Sequence, residues 1–170
     1  GTGTETDLVG SQSTVSFGTT GSGSTTDETL TLTNDGNTDL TISDVTVSGS
    51  DDGQFDVQPV AGETLAAGDD LTVSVEYAPD DDEAGEHTAE LTVNANSTTG
   101  DSTFTSTLQG EATPPEIQLT DTSLEFGYVN SESSEVATLD TEIENVGPDS
   151  TTLNVTDASV SGDAFTLTKT

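Results

Sequence analysis

The sequence lacks cysteine and tryptophan, and its 170 residues include a single basic side chain besides one histidine, Lys169. The absence of cysteine rules out disulfides, a thiol nucleophile and zinc–thiolate sites. Against that one lysine stand 33 Asp and Glu, which give a formal net charge of -32. Nucleic-acid and anionic-lipid binders depend on Lys and Arg to neutralise phosphates, so we expect neither partner here. No apolar run approaches the roughly 20 residues of a membrane span, so no direct membrane insertion is expected in this segment.

The acidity also predicts the solvent in which the chain folds. Like charges at this density oppose compaction in dilute buffer, whereas molar salt shortens the screening length to roughly 3 Å. The composition, acidic and rich in small residues and Thr, resembles that of secreted proteins of halophilic archaea. We therefore expect a protein that folds in roughly molar salt.

Apolar residues alternate with polar ones along most of the chain, which is the period of a strand with one buried face. Gly-, Asp- and Asn-rich turns separate the alternating segments, and no stretch carries a helical stripe. The pattern predicts short antiparallel strands in an all-β sandwich. The alternating sets are Leu30 and Leu32; Leu40 and Ile42; Leu71, Val73, Val75 and Tyr77; Ala89, Leu91 and Val93; Phe104 and Leu108; Leu124 and Phe126.

An internal repeat is the most informative feature. Five short segments recur in the same order with a period near 110 residues, which is the size of one immunoglobulin-like sandwich. They are Phe17-Gly18 with Phe126-Gly127, Leu32 to Gly36 with Ile143 to Gly147, Leu40 to Ile42 with Leu153 to Val155, Val47 to Gly49 with Val160 to Gly162, and Phe55 with Phe165. The predicted organisation is tandem immunoglobulin-like antiparallel β-sandwiches. A complete one spans 1–112, a Pro-rich linker spans 113–116, and the N-terminal half of a second spans 117–170.

The ordered elements resemble the Hydin-type ASH domains and the "choice-of-anchor D" repeats of prokaryotic surface proteins, whose sandwich is similar to major sperm protein and PapD. The elements are Phe17-Gly18, Thr33 to Asn37, Leu40 to Ile42, Ser48-Gly49, Phe55 to Val57, Leu65 to Gly68, Leu71 to Pro79 and Gly85 to Val93. This resemblance implies an extracellular or cell-surface structural or binding module that is not catalytic.

Physical roles follow for the repeated positions. Phe17, Phe126, Phe55 and Phe165 are interpreted as core residues. The repeated strand-ending residues are Asn34 and Asn145. Gly36 and Gly147 follow them and are expected to supply the positive φ of a tight hairpin turn.

Few residues could carry chemistry. His87 is the only imidazole and, being in phase with Ala89 and Leu91, is expected either at the end of the buried face or exposed. Without a cysteine or a second histidine, and with no tryptophan for a sugar cleft, catalytic site residues are predicted to be absent. The chain is therefore interpreted as not an enzyme.

Clustered loop carboxylates offer the hard oxygen ligands that calcium or magnesium prefers, although neither loop has EF-hand spacing. The candidate metal ligands are Asp51, Asp52, Asp80, Asp81 and Asp82. The alternative is a solvated loop surrounded by diffuse sodium or potassium. No cofactor is otherwise expected. Two glycosylation sequons begin at Asn96 and Asn154, both expected on exposed positions.

Two functions remain open. One is a structural subunit or stalk segment of a halophilic archaeal cell-surface or extracellular filament assembly, acting by end-to-end packing and strand pairing with other copies or neighbouring surface-protein domains. The other is an adhesion module that binds a glycan or protein. Under the first hypothesis, either chain beyond Thr170 or a neighbouring subunit supplies the strands that the second sandwich lacks.

Overall fold

A computed structural model describes residues 6–81, 83–98, 100–128, 132, 137–148 and 151–168. The chain divides into two compact units: unit 1 comprises Gly1–Pro114 with Pro148–Thr151, and unit 2 comprises Pro115–Gly147 with Thr152–Thr170. Among the described residues, no helix has the length and apolar character needed to cross a membrane.

Unit 1 is built almost entirely of strands, as the alternation predicts. Its strands are β1 (Leu8–Gly10), β2 (Thr14–Gly21), β3 (Thr26–Asn34), β4 (Leu40–Ser48), β5 (Phe55–Val57), β6 (Thr64–Leu65), β7 (Asp70–Tyr77), β8 (Gly85–Ser97) and β9 (Gly100–Thr113). A single turn of 3-10 helix, Asp52–Gln54, precedes β5. The prediction of an all-β immunoglobulin-like sandwich is confirmed.

Two sheets form the sandwich, with strand orders β1-β3-β7-β5 and β2-β9-β8-β4-β6. The expectation that all strands are antiparallel is wrong at one place, because β2 runs parallel to β9. The chain passes from one sheet to the other between β1, which pairs with β3, and β2. A bulge between Ser16 and Gly18 interrupts the β2–β9 ladder, and Gly18 adopts φ 65° there, a conformation that a Cβ would penalise.

The core lies between the two sheets and consists of the inward-facing residues of each alternating segment. Thr, Ser, Asp and Glu occupy most of the opposite, wet positions, so the charge stays in solvent. The most deeply buried apolar side chains are Val15, Leu30, Leu32, Leu40, Ile42, Val73, Val75, Tyr77, Leu91, Val93 and Leu108.

Three aromatic rings pack against one another within this core. Tyr77 lies 5.0 Å from Phe55 and 5.6 Å from Phe17 between ring centroids, and the two phenylalanines are 5.6 Å apart. Gly110 of β9 lies under the Tyr77 ring, where a methyl group would come within 2.5 Å of Cε1. The ring is therefore enclosed on several sides.

Unit 2 contains two short antiparallel strands in its described residues, β10 (Ile117–Leu119) and β11 (Ile143–Asn145). The alternation of Leu124 and Phe126 predicted a further strand, and that prediction is wrong, because this segment is irregular. Its equivalent in unit 1, β2, is held by the ladder to β9. Among the described residues of unit 2, β10 and β11 pair only with each other, and no strand equivalent to β9 lies beside this segment.

Candidate functional site

The two units share the same first strand pair in the same register. Leu8 of β1 opposes Asn34 of β3, and Ile117 of β10 opposes Asn145 of β11. The next backbone hydrogen bond is also repeated: Asp35 N–H donates to Asp7 C=O at 2.9 Å, and Val146 N–H donates to Glu116 C=O at 2.8 Å. The sequence repeat thus corresponds to a repeated piece of three-dimensional structure.

The repeated asparagines form the same turn in both units. Asn34 Oδ1 accepts the N–H of Gly36 at 3.1 Å, and Asn145 Oδ1 accepts the N–H of Gly147 at 3.0 Å. The expected positive φ at Gly36 and Gly147 is wrong, since neither glycine adopts it. The side-chain carbonyl of the asparagine closes each turn instead, so the backbone needs no left-handed residue at that position.

Glycines elsewhere in the repeat do adopt positive φ, and they do so in pairs. Gly18 and Gly127 have φ of 65° and 63°, and Gly49 and Gly162 have φ of 141° and 114°. The repeated phenylalanines also make equivalent contacts, with a ring separation of 5.8 Å between Phe126 and Phe165 in unit 2. Sequence reasoning identified these residues but not which glycines carry the unusual backbone.

The environment of the two aromatic pairs differs. Phe17 and Phe55 are buried, with Tyr77 packed against both rings. Phe126 and Phe165 are 36% and 52% exposed. The matched part of the repeat ends before any equivalent of Tyr77. We use the term open face for the set of large apolar side chains that are exposed in the described part of unit 2. Its members are Ile117, Leu119, Leu124, Phe126, Tyr128, Leu139, Ile143, Val146, Val155, Val160, Phe165 and Leu167.

His87 is buried and held from two sides. The Tyr77 hydroxyl lies 2.7 Å from Nδ1, and a Glu83 carboxylate oxygen lies 3.4 Å from Nε2. Burial, with smaller contributions from nearby carboxylates, raises the pKa of Tyr77 to about 12. The Tyr77 hydroxyl and Nδ1 of His87 share a hydrogen bond whose direction depends on the His87 tautomer, and Nε2 faces the Glu83 carboxylate.

This arrangement links two strands and the loop between them through side-chain contacts. The nearby Ser22 hydroxyl donates to the backbone carbonyl of Glu83 at 2.6 Å, not to the imidazole. His87 thus connects β8 to Tyr77 of β7 and to the loop between those strands. The sequence pattern placed His87 in phase with Ala89 and Leu91, but it did not indicate Tyr77 as its partner.

The predicted metal ligands act as hydrogen-bond acceptors or face solvent. Asp51 Oδ2 accepts the backbone N–H of Thr88 at 2.9 Å, and this bond holds the pKa of Asp51 below its usual value. Gln54 bonds both the backbone N–H and the carboxylate of Asp80, at 2.9 and 3.3 Å. Asp52 and Asp81 are exposed, whereas Asp82 lies outside the described residues. Within the part of the chain that is described, no three His, Asp or Glu residues are grouped so as to hold a metal ion.

Both sequon asparagines lie at accessible positions. Asn96 is exposed near the end of β8, opposite Asp101 of β9. Asn154 is exposed in unit 2. Either side chain is therefore open to solvent where an oligosaccharide would attach.

The sequence profile of the HYDIN/CFA65/VesB-like immunoglobulin-like domain matches residues 8–111. The chain belongs to this family. The match spans β1 to β9 and ends near the last residues of unit 1. A comparison with curated protein sequences returns no significant match.

Solved structures with TM-scores of 0.50 or more have a similar fold. The ASH/PapD-like domain 7 of human CEP192 has a TM-score of 0.51 at 21% identity, covering 64% of this chain and 87% of that domain. The periplasmic chaperone SfaE has a TM-score of 0.50 at 13% identity, covering 62% of this chain and 56% of its own. The VesB protease of Vibrio cholerae has a TM-score of 0.49 at 21% identity, and the match covers 61% of this chain and 31% of that protein. At these identities the likeness concerns the fold.

Proposed function

We propose that this HYDIN/CFA65/VesB-like chain is a structural subunit or stalk segment of a cell-surface or extracellular filament assembly in a halophilic archaeon. In this proposal the chain acts by end-to-end packing and by strand pairing with another copy or a neighbouring surface domain. A structural or binding module is the coarser function that the immunoglobulin-like fold itself indicates.

The open face of unit 2 is the observation that carries the proposal. Large apolar side chains gain roughly 1.5–3 kcal/mol each when they move from water into a core. Phe126, Phe165, Ile143 and Val155 are between 36% and 52% exposed, so much of that free energy is still available. A strand that brings the missing aromatic and aliphatic residues would cover this face and pair with its backbone edges.

The charge of the chain supports the proposed habitat. With 33 acidic residues and one lysine, few internal ion pairs offset the repulsion. Molar salt screens that repulsion, which permits association through the open face. Under these conditions apolar contact is the driving force for assembly.

The surroundings of His87 support a role without catalysis. Its two ring nitrogens face the Tyr77 phenol and the Glu83 carboxylate, and the side chain is 8% exposed. A general base needs access to the proton that it removes. A buried imidazole that holds two segments together is the arrangement of a structural residue.

Assembly of the full chain tests this proposal. Light scattering with size-exclusion chromatography in about 3 M KCl should show concentration-dependent association, and electron microscopy should show regular end-to-end particles. The double variant Phe126→Ser/Phe165→Ser should reduce association strongly. Val9→Ser, which changes a 37% exposed valine of unit 1, is the matched control and should associate as the parent does.

Two outcomes would contradict the proposal. One is a strictly monomeric chain at all concentrations in molar salt. The other is equal loss of association in the Val9→Ser control, which would indicate non-specific contacts. Saturable binding of a glycan by such a monomer would instead favour the adhesion hypothesis.

A further inference from the structure

A groove opens along one side of unit 1, between the edges of its two sheets. Its walls are β4 of one sheet and β5 of the other, and it encloses a volume of about 570 Å³. The apolar lining consists of Val45, Val47, Phe55, Val57, Pro59 and Val60. Val45, Val47 and Val57 pack against the core yet remain partly exposed. The core of the sandwich is thus accessible to a ligand at this side, in a volume typical of binding clefts.

One wall of the groove is an open strand edge. On its inner side β4 pairs with β8 as far as Ser48, whereas on its outer side β6 pairs only with Leu40 and Thr41. The last backbone bonds on that outer side involve Ile42, which donates to Glu63 C=O and accepts from Gly62 N–H, both at 2.8 Å. A bulge follows between Ile42 and Asp44. From Asp44 to Ser48, no ladder partner is found among the described residues on the outer edge of β4.

An extended segment of five residues would fit along this edge, which is roughly 16 Å long at about 3.3 Å per residue. Its backbone would bond to β4, and every second side chain would point into the groove. The alternate side chains would point away from the groove, toward its rim. The rim carries the exposed carboxylates of Asp44, Asp52 and Asp56, and the residues that line the groove include no Lys, Arg or His.

We propose that this groove binds an extended peptide strand in which aliphatic residues alternate with Lys or Arg. The aliphatic side chains contact Val45, Val47 and Val57, and the cationic side chains pair with the carboxylates of the rim. The three rim carboxylates are exposed, so salt weakens the ionic part of this preference, and the aliphatic contacts carry the binding in a saline medium. A second copy of the chain is a poor occupant because its own charge of -32 adds like charges to the rim.

The groove lies within unit 1, so this inference does not rest on assembly through the open face. The binding assay uses the full chain with Phe126→Ser/Phe165→Ser, which separates groove binding from association. The probe is a fluorescein-labelled nonapeptide of alternating Lys and Val, titrated at the lowest salt at which circular dichroism shows the protein folded. The same peptide with Glu in place of Lys, and a shuffled peptide with Lys and Val in separate blocks, serve as peptide controls.

Variants of the protein then locate the site. Val45→Thr/Val47→Thr keeps the β-branched shape and removes apolar contact, and we expect it to weaken binding about tenfold, the effect of two lost methyl contacts. Thr46→Ser, on the outer face of the same strand, should leave binding unchanged. Asp44→Asn/Asp56→Asn should weaken binding of the Lys peptide, whereas Asp27→Asn/Asp101→Asn makes the same charge change away from the groove and should not.

Support for the proposal is saturable one-to-one binding of the alternating Lys–Val peptide that only the groove variants weaken. Three results would overturn it: no saturable binding of that peptide, equal binding of the shuffled peptide, or equal binding by the parent and by Val45→Thr/Val47→Thr. Circular dichroism of each variant establishes that it is folded, and the Asp27→Asn/Asp101→Asn control distinguishes a local charge effect from a general one.

Discussion

The packing of Tyr77 against Gly110 leads to the sharpest stability prediction. Gly110 lies on β9 between β2 and β8, opposite both Gly18 and His87, and its φ is not positive. Alanine would therefore fit the strand backbone and would by itself stabilise the fold by about 0.4–1 kcal/mol through the unfolded chain. The added methyl would, however, lie 2.5–2.8 Å from three atoms of the Tyr77 ring.

The Tyr77 ring has little room to move away. It is fully buried, lies against Phe17 and Phe55, and is anchored by its hydroxyl to His87. Overpacking a fixed core typically costs about 1–3 kcal/mol. After the backbone gain is subtracted, the range is about 0–2.6 kcal/mol, and we expect Gly110→Ala to destabilise unit 1 by about 1 kcal/mol. Each kcal/mol lowers the melting temperature by about 4 °C for a domain slightly above 100 residues.

Gly10→Ala is the matched control for this prediction. Its methyl would meet the Phe104 ring at 2.2 Å, but Phe104 is only partly buried and can rotate outward. We expect Gly10→Ala to change the free energy of unfolding by less than about 1 kcal/mol. Urea unfolding in molar salt, followed by circular dichroism, compares both variants with the parent. The reasoning is refuted if Gly110→Ala is no less stable than Gly10→Ala, or if Tyr77→Leu fails to reduce the cost of Gly110→Ala in a double-mutant cycle.

Four further outcomes are expected. Tyr77→Phe should cost about 1–3 kcal/mol, because it leaves the buried Nδ1 of His87 without its hydrogen-bond partner, and urea unfolding measures this directly. The raised pKa of Tyr77, about 12, favours the neutral phenol in the folded state, so its stabilising effect is complete below pH 10 and is lost between pH 10 and 12. That alkaline loss should amount to about 2–3 kcal/mol and be absent in Tyr77→Phe, and an unchanged alkaline loss in the variant would contradict the assignment. Dialysis to about 10 mM salt at neutral pH should abolish the cooperative strand signal in circular dichroism, because the net charge of -32 is then poorly screened. Mass spectrometry of protein from its own host should find an oligosaccharide on Asn96 or Asn154, and unmodified sites would mean that these sequons are accidental.

The sequence contained a large part of the fold because alternation is a local property. Leu71 to Tyr77 and Ala89 to Val93 alternate without interruption and form β7 and β8. Leu124 and Phe126 alternate in the same way and form no strand, because a strand also requires a partner for its backbone. Alternation thus shows which residues are able to form a buried face, and pairing decides whether they do.

The turns also show that a local pattern indicates what is possible and that tertiary contacts decide what forms. The repeat identified Gly18, Gly36, Gly127 and Gly147 as important positions. The structure places positive φ at Gly18 and Gly127 but not at Gly36 or Gly147, where an asparagine side chain closes the turn. A glycine in a sequence indicates backbone freedom or close approach, and only the surrounding contacts show which of the two is used.

The sequence by itself determined the acidic character of the chain, the alternation that forms its strands, and a repeat with a period near 110 residues. Tertiary structure alone decided the parallel pairing of β2 with β9, the burial of His87 between Tyr77 and Glu83, and the groove between β4 and β5. These features join residues far apart in the chain, such as Thr14 with Thr107. Periodicity shows only which way each side chain faces along its own strand. Contacts between strands, and the openings between sheets, form only when the sheets pack.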